Sequence, residues 1–402
     1  MAKSSKRKKI LTDLAAFGGA PLFDTPVHVG QPNIGDQDLF IKYVDDILKS
    51  RWLSNNGPFV KKFERKIEEL LSVRNCVAMC NGTIALELAI RALGIKGEVI
   101  VPSFTFIATA HSIFSEGAVP IFCDVNPVTH TIDRQSIERV VSNKTSAIMG
   151  VHLWGQICDH DAIKEIASKY NLKIIYDAAH AFGCSKNSVM VGNFGNAEVL
   201  SFHATKFCNS FEGGAVVTND DELAEKLRLM RNFGFSGRDQ VIHHGTNGKM
   251  CEISAAMGIV SLESINEFIA INERNYHCYF EHLGPVDGIT VIKYNDDEKN
   301  NYQYVVLEID QQRFGLSRDD LLDILSKENI LARRYFYPGC HNMEPYKTLY
   351  PLSESNLPIT SDICRKVMVL PTGTAISVID IEKICDLITF ISMHSSKISI
   401  TD

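Results

Sequence analysis

Lys206 stands in Ser201-Phe202-His203-Ala204-Thr205-Lys206, between one apolar run at Ala197–Phe202 and a second at Gly213–Thr218. Both runs have the length and composition of buried strands. The turn between them is therefore held by rigid backbone, and the long lysine stem can reach a neighbouring cavity. An amine placed there loses solvation, its pKa falls, and its lone pair becomes nucleophilic near neutral pH. A lysine on a surface loop is the commoner outcome for this residue type, so the assignment depends on what accompanies it.

Four other features fall at the ends of apolar runs. Asn81-Gly82-Thr83 precedes a helix-length segment. Its first-turn N–H groups, a glycine that allows close approach and a hydroxyl suit a phosphate as well as they suit an ordinary helix cap. Asp177 ends Ile174-Ile175-Tyr176 and is followed by Ala178-Ala179-His180-Ala181. A carboxylate there either caps a helix or faces a cation, such as a protonated heteroaromatic nitrogen. Phe104 and Phe106 either cover a planar ring or belong to the core. Ser201, upstream of Lys206, is placed to add a second phosphate ligand.

The elements that must position these groups follow from periodicity. Strand-like runs at Glu98–Pro102, Val119–Asp124, Thr145–His152, Lys173–Asp177, Val199–Phe202 and Ala215–Thr218 alternate with helix-length segments at Thr83–Leu93, Thr105–Ser115, Asp133–Val141 and Asp159–Tyr170. Such alternation predicts an α/β fold with a mostly parallel sheet wrapped by helices, and ligands at the carboxyl ends of the strands. Upstream, helices are expected at Asp36–Ser50, capped by Asp36, and at Phe59–Leu71. Downstream come Glu222–Arg231, a Gly-rich stretch, a helix at Ser254–Ile271 and then a linker. Strands Thr290–Tyr294, Gln303–Ile309 and Ile330–Tyr335, with helices Ser317–Lys327 and Ile379–His394, describe a smaller α+β domain. The expected organisation is a basic flexible arm (1–16), a large domain (17–274) and a small C-terminal domain (275–402).

Composition narrows the classes. The 402 residues are 45% hydrophobic and 22% charged with a net charge of −7, which argues against a nucleic-acid partner. No apolar run reaches the roughly 18 residues a membrane span needs. Eleven cysteines without a regular framework imply reduced thiols and a cytoplasmic location. Cys76 and Cys80 have no second pair, so no metal site is expected. No GxGxxG follows a strand and no GxxxxGK[ST] occurs, which disfavours a dinucleotide or NTP site. An anion cradle, a ring cover, a carboxylate and an amine in this order instead describe pyridoxal 5′-phosphate.

From about Gly18 to the C-terminal region the chain resembles the DegT/DnrJ family of nucleotide-sugar aminotransferases. The motifs are Trp52-Leu53-Ser54 with Gly57-Pro58, Asn81-Gly82-Thr83, Pro102-Ser103-Phe104-Thr105-Phe106, Val151-His152-Leu153-Trp154-Gly155, Asp177-Ala178-Ala179-His180-Ala181, the Lys206 segment and Glu212-Gly213-Gly214. The resemblance implies an aspartate-aminotransferase-type fold. Lys206 would carry the cofactor as a Schiff base and Asp177 would hold the pyridine nitrogen. Gly82, Thr83 and Ser201 would bind the phosphate, and Phe106 would stack on the ring. Asn247, in Gly245-Thr246-Asn247-Gly248-Lys249-Met250, would reach the phosphate of a neighbouring subunit, which implies a homodimer with shared sites.

Three departures stand out. His180 replaces a usual glutamine beside the cofactor's phenolic oxygen, Gly248-Lys249 replaces Tyr-Arg, and Trp154 replaces a frequent tyrosine. The implied reaction moves an amino group from glutamate to a nucleotide-linked 4-keto-6-deoxyhexose, for surface-polysaccharide or secondary-metabolite amino sugars. The Phe17–Gly35 and Ala332–Pro338 segments look most like enzymes making dTDP-4-amino-4,6-dideoxyglucose. Amination at C-3 and a non-catalytic cofactor-bearing sensor are the alternatives. His152, Tyr337 and His341 are candidate substrate contacts.

Overall fold

The computed structural model describes residues 8–351 and 356–398. In chain order its strands are β1 (Val27–His28), β2 (Asn75–Met79), β3 (Glu98–Pro102), β4 (Val119–Cys123), β5 (Thr145–Val151), β6 (Lys173–Asp177), the hairpin β7 (Ser185–Lys186) and β8 (Val189–Met190), β9 (Ala197–Ser201), β10 (Gly214–Thr218), β11 (Ile289–Val291), β12 (Val305–Ile309), β13 (Ile330–Leu331) and β14 (Val367–Leu370). Seven of them form the central sheet in the order β2-β10-β9-β6-β5-β3-β4. From β9 to β4 the pairing is parallel, and β10 runs antiparallel to both β9 and β2. The expected fold class is what the chain adopts, and β2 is a strand the periodicity did not single out.

Helices Gly82–Ala92, Ile107–Ser115, Arg134–Val140 and His160–Tyr170 lie between the strands as the alternation requires. The first helix, Gln37–Ser50, starts where Asp36 accepts a hydrogen bond from Leu39 N–H at 2.9 Å. Helix Pro58–Leu71 buries Val60, Phe63, Ile67 and Leu71, one stripe at helical spacing. Each such side chain is worth about 1.5–3 kcal/mol on burial.

The smaller domain carries the antiparallel sheet β11-β12-β14. Alternation along β12 divides two cores. Val305, Leu307 and Ile309 face Tyr279, Ile384 and Ile388 within the small domain. Tyr304 and Val306 join Phe104, Trp154 and Phe336 against the large one.

Three expectations need correction. The helix expected at Ser254–Ile271 is two, Glu252–Glu263 and Ile265–Leu283, bent by 60°. The second runs straight through the expected linker, so the 274/275 boundary falls inside a helix. Within it Asn272 and Asn275 are both buried and donate to the carbonyls of Asn301 and Gly373 at 3.1 Å.

The described part of the arm, residues 8–16, is tied to the small domain although Lys9, Ile10 and Thr12 are exposed. Leu14 is fully buried in the small-domain core. Glu328, also fully buried, accepts from Ala15 N–H and Leu22 N–H at 2.7 Å and pairs with Lys8 at 2.9 Å. β1 then pairs in parallel with β13, so the lead-in expected with the large domain packs on the small one. The rest of the basic cluster, up to residue 7, lies outside the described residues.

The strand expected at Ile330–Tyr335 shortens to β13, while helix Pro358–Lys366 and β14 were not foreseen. Among the described residues no single helix is long and apolar enough to cross a membrane.

Candidate active site

Register sets the site. Asp177, last residue of β6, pairs with Val151 of β5 on one side and Val199 of β9 on the other. One step outward, Gly214 of β10 pairs with both Ser201 and Met79. A Cβ on Gly214 would lie 2.5 Å from Asn81 C and Gly82 N. Only glycine lets the strand pass under the start of helix Gly82–Ala92. There Asn81 Oδ1 accepts from Ile84 N–H at 2.8 Å, and the opening amides of the helix have no acceptor within it. A Cβ built on Gly82 would lie 3.4 Å from Ser201 Cβ, so the two expected phosphate ligands adjoin.

Gly82, Thr83, Phe106, Asp177, His180, Ser201 and Lys206 line one cavity of about 440 Å³ at these strand ends. Lys206 Nζ donates to Tyr304 Oη at 3.2 Å. Burial lowers the amine from its ordinary 10.5 to about 8, against the opposing pull of the Asp177 carboxylate. Thr109 Oγ1 donates to Asp177 Oδ2 at 2.8 Å and Ala179 N–H to Oδ1 at 3.1 Å, which fixes the carboxylate plane. His180 is held well below its ordinary pKa by burial and by the charge on Lys206, and is neutral. Its Nδ1 is buried with no hydrogen-bond partner, which a ligand's polar atom would satisfy. Trp154 stacks on Phe336 at 5.6 Å and on His180 at 5.5 Å. Its backbone is left-handed, φ 59°, a cost of about 1–2 kcal/mol for a bulky residue.

An amine with a depressed pKa, a carboxylate opposite it, an unpartnered imidazole nitrogen and an anion cradle fit pyridoxal 5′-phosphate. Among the described residues no three His, Cys, Asp or Glu gather as a metal site, and the eleven cysteines are free thiols.

The other candidates stand elsewhere. His152 is buried behind the sheet end, stacked on Tyr176 at 4.3 Å with its Nε2 3.3 Å from Glu198. His341 is buried against Ser103 Oγ at 2.7 Å. Tyr337 packs under the Arg334 and Arg318 guanidinium groups. None of the three lines the cavity. Phe104 is fully buried core, the other of its two readings. Asn247 is exposed and outside its own cavity, its Oδ1 accepting from Lys249 Nζ at 2.6 Å. Gly248, in the departing Gly-Lys pair, is pinned to the helix start because its carbonyl accepts from Cys80 N–H at 2.9 Å.

Sequence reasoning missed Thr109, Tyr304, Arg333, Tyr335 and Phe336. The last four reach the cavity from the small domain. Period-two alternation before β12 was the one signal that could have found Tyr304.

Residues 35–389 match the DegT/DnrJ/EryC1/StrS aminotransferase family. The chain is 40% identical over 354 residues to the dTDP-4-amino-4,6-dideoxy-D-glucose transaminase of Shigella dysenteriae, covering 88% of this chain and 96% of that one. With the Escherichia coli transaminase of the same name it shares 38% over 366 residues, 91% and 98% of the two chains. The crystal structure of DesI with its TDP-sugar product superposes with a TM-score of 0.91 at 42% identity, covering 96% of this chain and 98% of that one.

Proposed function

The chain belongs to the DegT/DnrJ/EryC1/StrS aminotransferase family, and from that premise we propose that it moves an amino group from glutamate to dTDP-4-keto-6-deoxyglucose. The product is dTDP-4-amino-4,6-dideoxyglucose, a precursor of surface-polysaccharide sugars. The chemistry rests on one observation: Lys206 Nζ, with its pKa lowered to about 8, shares a cavity with Asp177. The substrate rests on kinship along nearly the whole chain with 4-amino-sugar transaminases.

When bound, pyridoxal 5′-phosphate supplies a carbonyl that condenses with amines and a pyridinium ring that draws off electrons. Lys206 anchors that carbonyl at rest. The same Nζ, when not bound to the cofactor, would be the group that carries protons between substrate and cofactor carbons. Burial, which lowers the amine to about 8, favours its free-base form relative to an exposed lysine. Asp177, oriented by Thr109 and Ala179, holds the ring nitrogen's proton in place. His180, neutral, offers Nδ1 to the phenolic oxygen. Gly82, Thr83 and Ser201 would hold the phosphate, Phe106 would cover the ring, and Arg333, on the same cavity, would offer its charge to the substrate's diphosphate.

The working form is a cytoplasmic homodimer. Trp52, Leu53, Phe211 and Ile253 are each more than 40% exposed, and Leu53 O accepts from Glu252 N–H beside Ile253. A second copy would cover this apolar ground and bring its Asn247 to the phosphate. Incubation with dTDP-4-keto-6-deoxyglucose and glutamate, followed by NMR of the product, tests the reading. An amine on C-4 is expected. An amine on C-3, or no conversion, overturns it.

A further inference from the structure

Two departures from the family pattern, Trp154 and His180, meet in space as a stacked pair with centroids 5.5 Å apart. A chain of hydrogen bonds stands behind them. Trp154 Nε1–H donates to His130 Nδ1 at 3.2 Å, and His130 Nε2 lies 2.8 Å from Glu308 Oε1. An indole N–H only donates, so Nδ1 is the acceptor and the imidazole proton sits on Nε2, given to Glu308. His130 is therefore neutral, and its contact with Glu308 is a hydrogen bond to a carboxylate, not an ion pair.

His130 and Trp154 are each 1% exposed, and both have left-handed backbones, φ 58° and 59°. A bulky residue such as Trp154 seldom adopts that region, so the packing and hydrogen bond on its ring hold it against local preference. Glu308 occupies the β12 face that also presents Val306 and, just before the strand, Tyr304, the partner of Lys206 Nζ.

We propose that Glu308 is a positioning residue for the cofactor pocket: through His130 and Trp154 it fixes the His180 ring where that ring meets the cofactor. The proposal rests on the function read above. It adds a polar hold of the small domain on the site to the packing of Tyr304 and Phe336. The groups behind His180 and the partner of Lys206 are thus both set by one face of β12.

The test uses fluorescence as well as binding. The chain has two tryptophans, so Trp52→Phe leaves Trp154 as sole emitter. In that background Glu308→Ala should shift the apo-protein's emission and weaken pyridoxal 5′-phosphate binding about tenfold, the scale of a lost hydrogen bond to a charged group. Glu308→Gln keeps an oxygen for His130 Nε2–H and should restore both to within about twofold. With Trp52 retained, Trp154→Phe should weaken binding as Glu308→Ala does, and the double variant should be no worse than Trp154→Phe. Unchanged emission and affinity in Glu308→Ala, additive losses in the double variant, or a Gln variant as damaged as Ala would overturn the relay. Should Glu308→Ala not fold, unaltered binding in Trp154→Phe overturns it alone. Wild-type protein that binds no pyridoxal 5′-phosphate would sink the functional reading instead, while the emission shift would still be read in apo-protein.

Discussion

The large-domain wall of the cavity is made of strand ends. Asp177 sits between Val151 and Val199 in a continuous ladder, and Ser201 lies beside Gly214 one step further out. The small-domain wall is different: Tyr304 precedes its strand, and Arg333, Tyr335 and Phe336 come from a loop. Backbone pairing on the first side fixes side chains to a fraction of an ångström, which proton transfer needs. The second side is held by side-chain packing, Tyr304 and Phe336 sharing a core with Phe104 and Trp154, and it presents the groups that would orient substrate. Changes on the first wall should therefore destroy chemistry, and changes on the second should alter binding.

The sharpest way to break this contrast is Lys206→Ala. Removing both the anchoring amine and the proton carrier should lower turnover by about 10⁴-fold or more, the upper range for acid–base groups. A rate within tenfold of wild type would remove Lys206 from the chemistry. Asp177→Asn should cost about 10²–10³-fold, as for loss of one preorganised electrostatic partner. Equal rates for variant and parent would leave Asp177 structural.

Gly214→Val tests the geometry rather than the chemistry. Its side chain would enter the Asn81–Gly82 backbone, destabilising by about 1–3 kcal/mol and releasing the cofactor. Denaturant melts and absorbance after dialysis measure the two effects, and a normal holoenzyme would refute the close approach.

Asn247→Ala should weaken cofactor retention about tenfold or more. Mixed and exchanged with Lys206→Ala subunits, it should regain activity through heterodimers holding one intact site. No recovery, with exchange confirmed independently, would mean that Asn247 completes no partner site.

The mildest test is one of pH. Between about 8 and 10.5 the unfolded chain carries the Lys206 proton and the folded apo-protein does not. The lysine thus destabilises the fold fully below pH 8, and that penalty fades as pH rises towards 10.5. Apo Lys206→Met should be more stable than wild-type apo-protein by about 2–3 kcal/mol at pH 7. The gap should narrow by pH 10; a pH-independent gap would deny the depressed pKa.

The same contrast explains what the sequence disclosed. Apolar runs ending in Asp177 and flanking Lys206 announced the large-domain wall, because strand, end and side chain are local in sequence. Thr109 was hidden because its hydroxyl meets Asp177 only after two elements have packed. Tyr304 and Arg333 were hidden for the same reason, and they cross domains. His152, Tyr337 and His341 were polar residues in motif-like surroundings, and each found a partner away from the cavity. The part of helix Ile265–Leu283 beyond Ile271 was expected as a linker, whereas its asparagines Asn272 and Asn275 are buried and satisfied by carbonyls distant in sequence.

The antiparallel strand in the central sheet carries a consequence for synthesis on the ribosome. In the central sheet β2 has β10 as its one neighbouring strand, Asn75 opposite Thr218, so that edge waits unpaired while β3 to β9 are made. Gly214, the floor of the phosphate cradle, arrives on that same late strand. Long-range pairing of this kind is slow and leaves an aggregation-prone edge in the meantime. The nascent large domain therefore cannot close its sheet, or set Gly214 under the helix start at Gly82, until the chain has been made through residue 218.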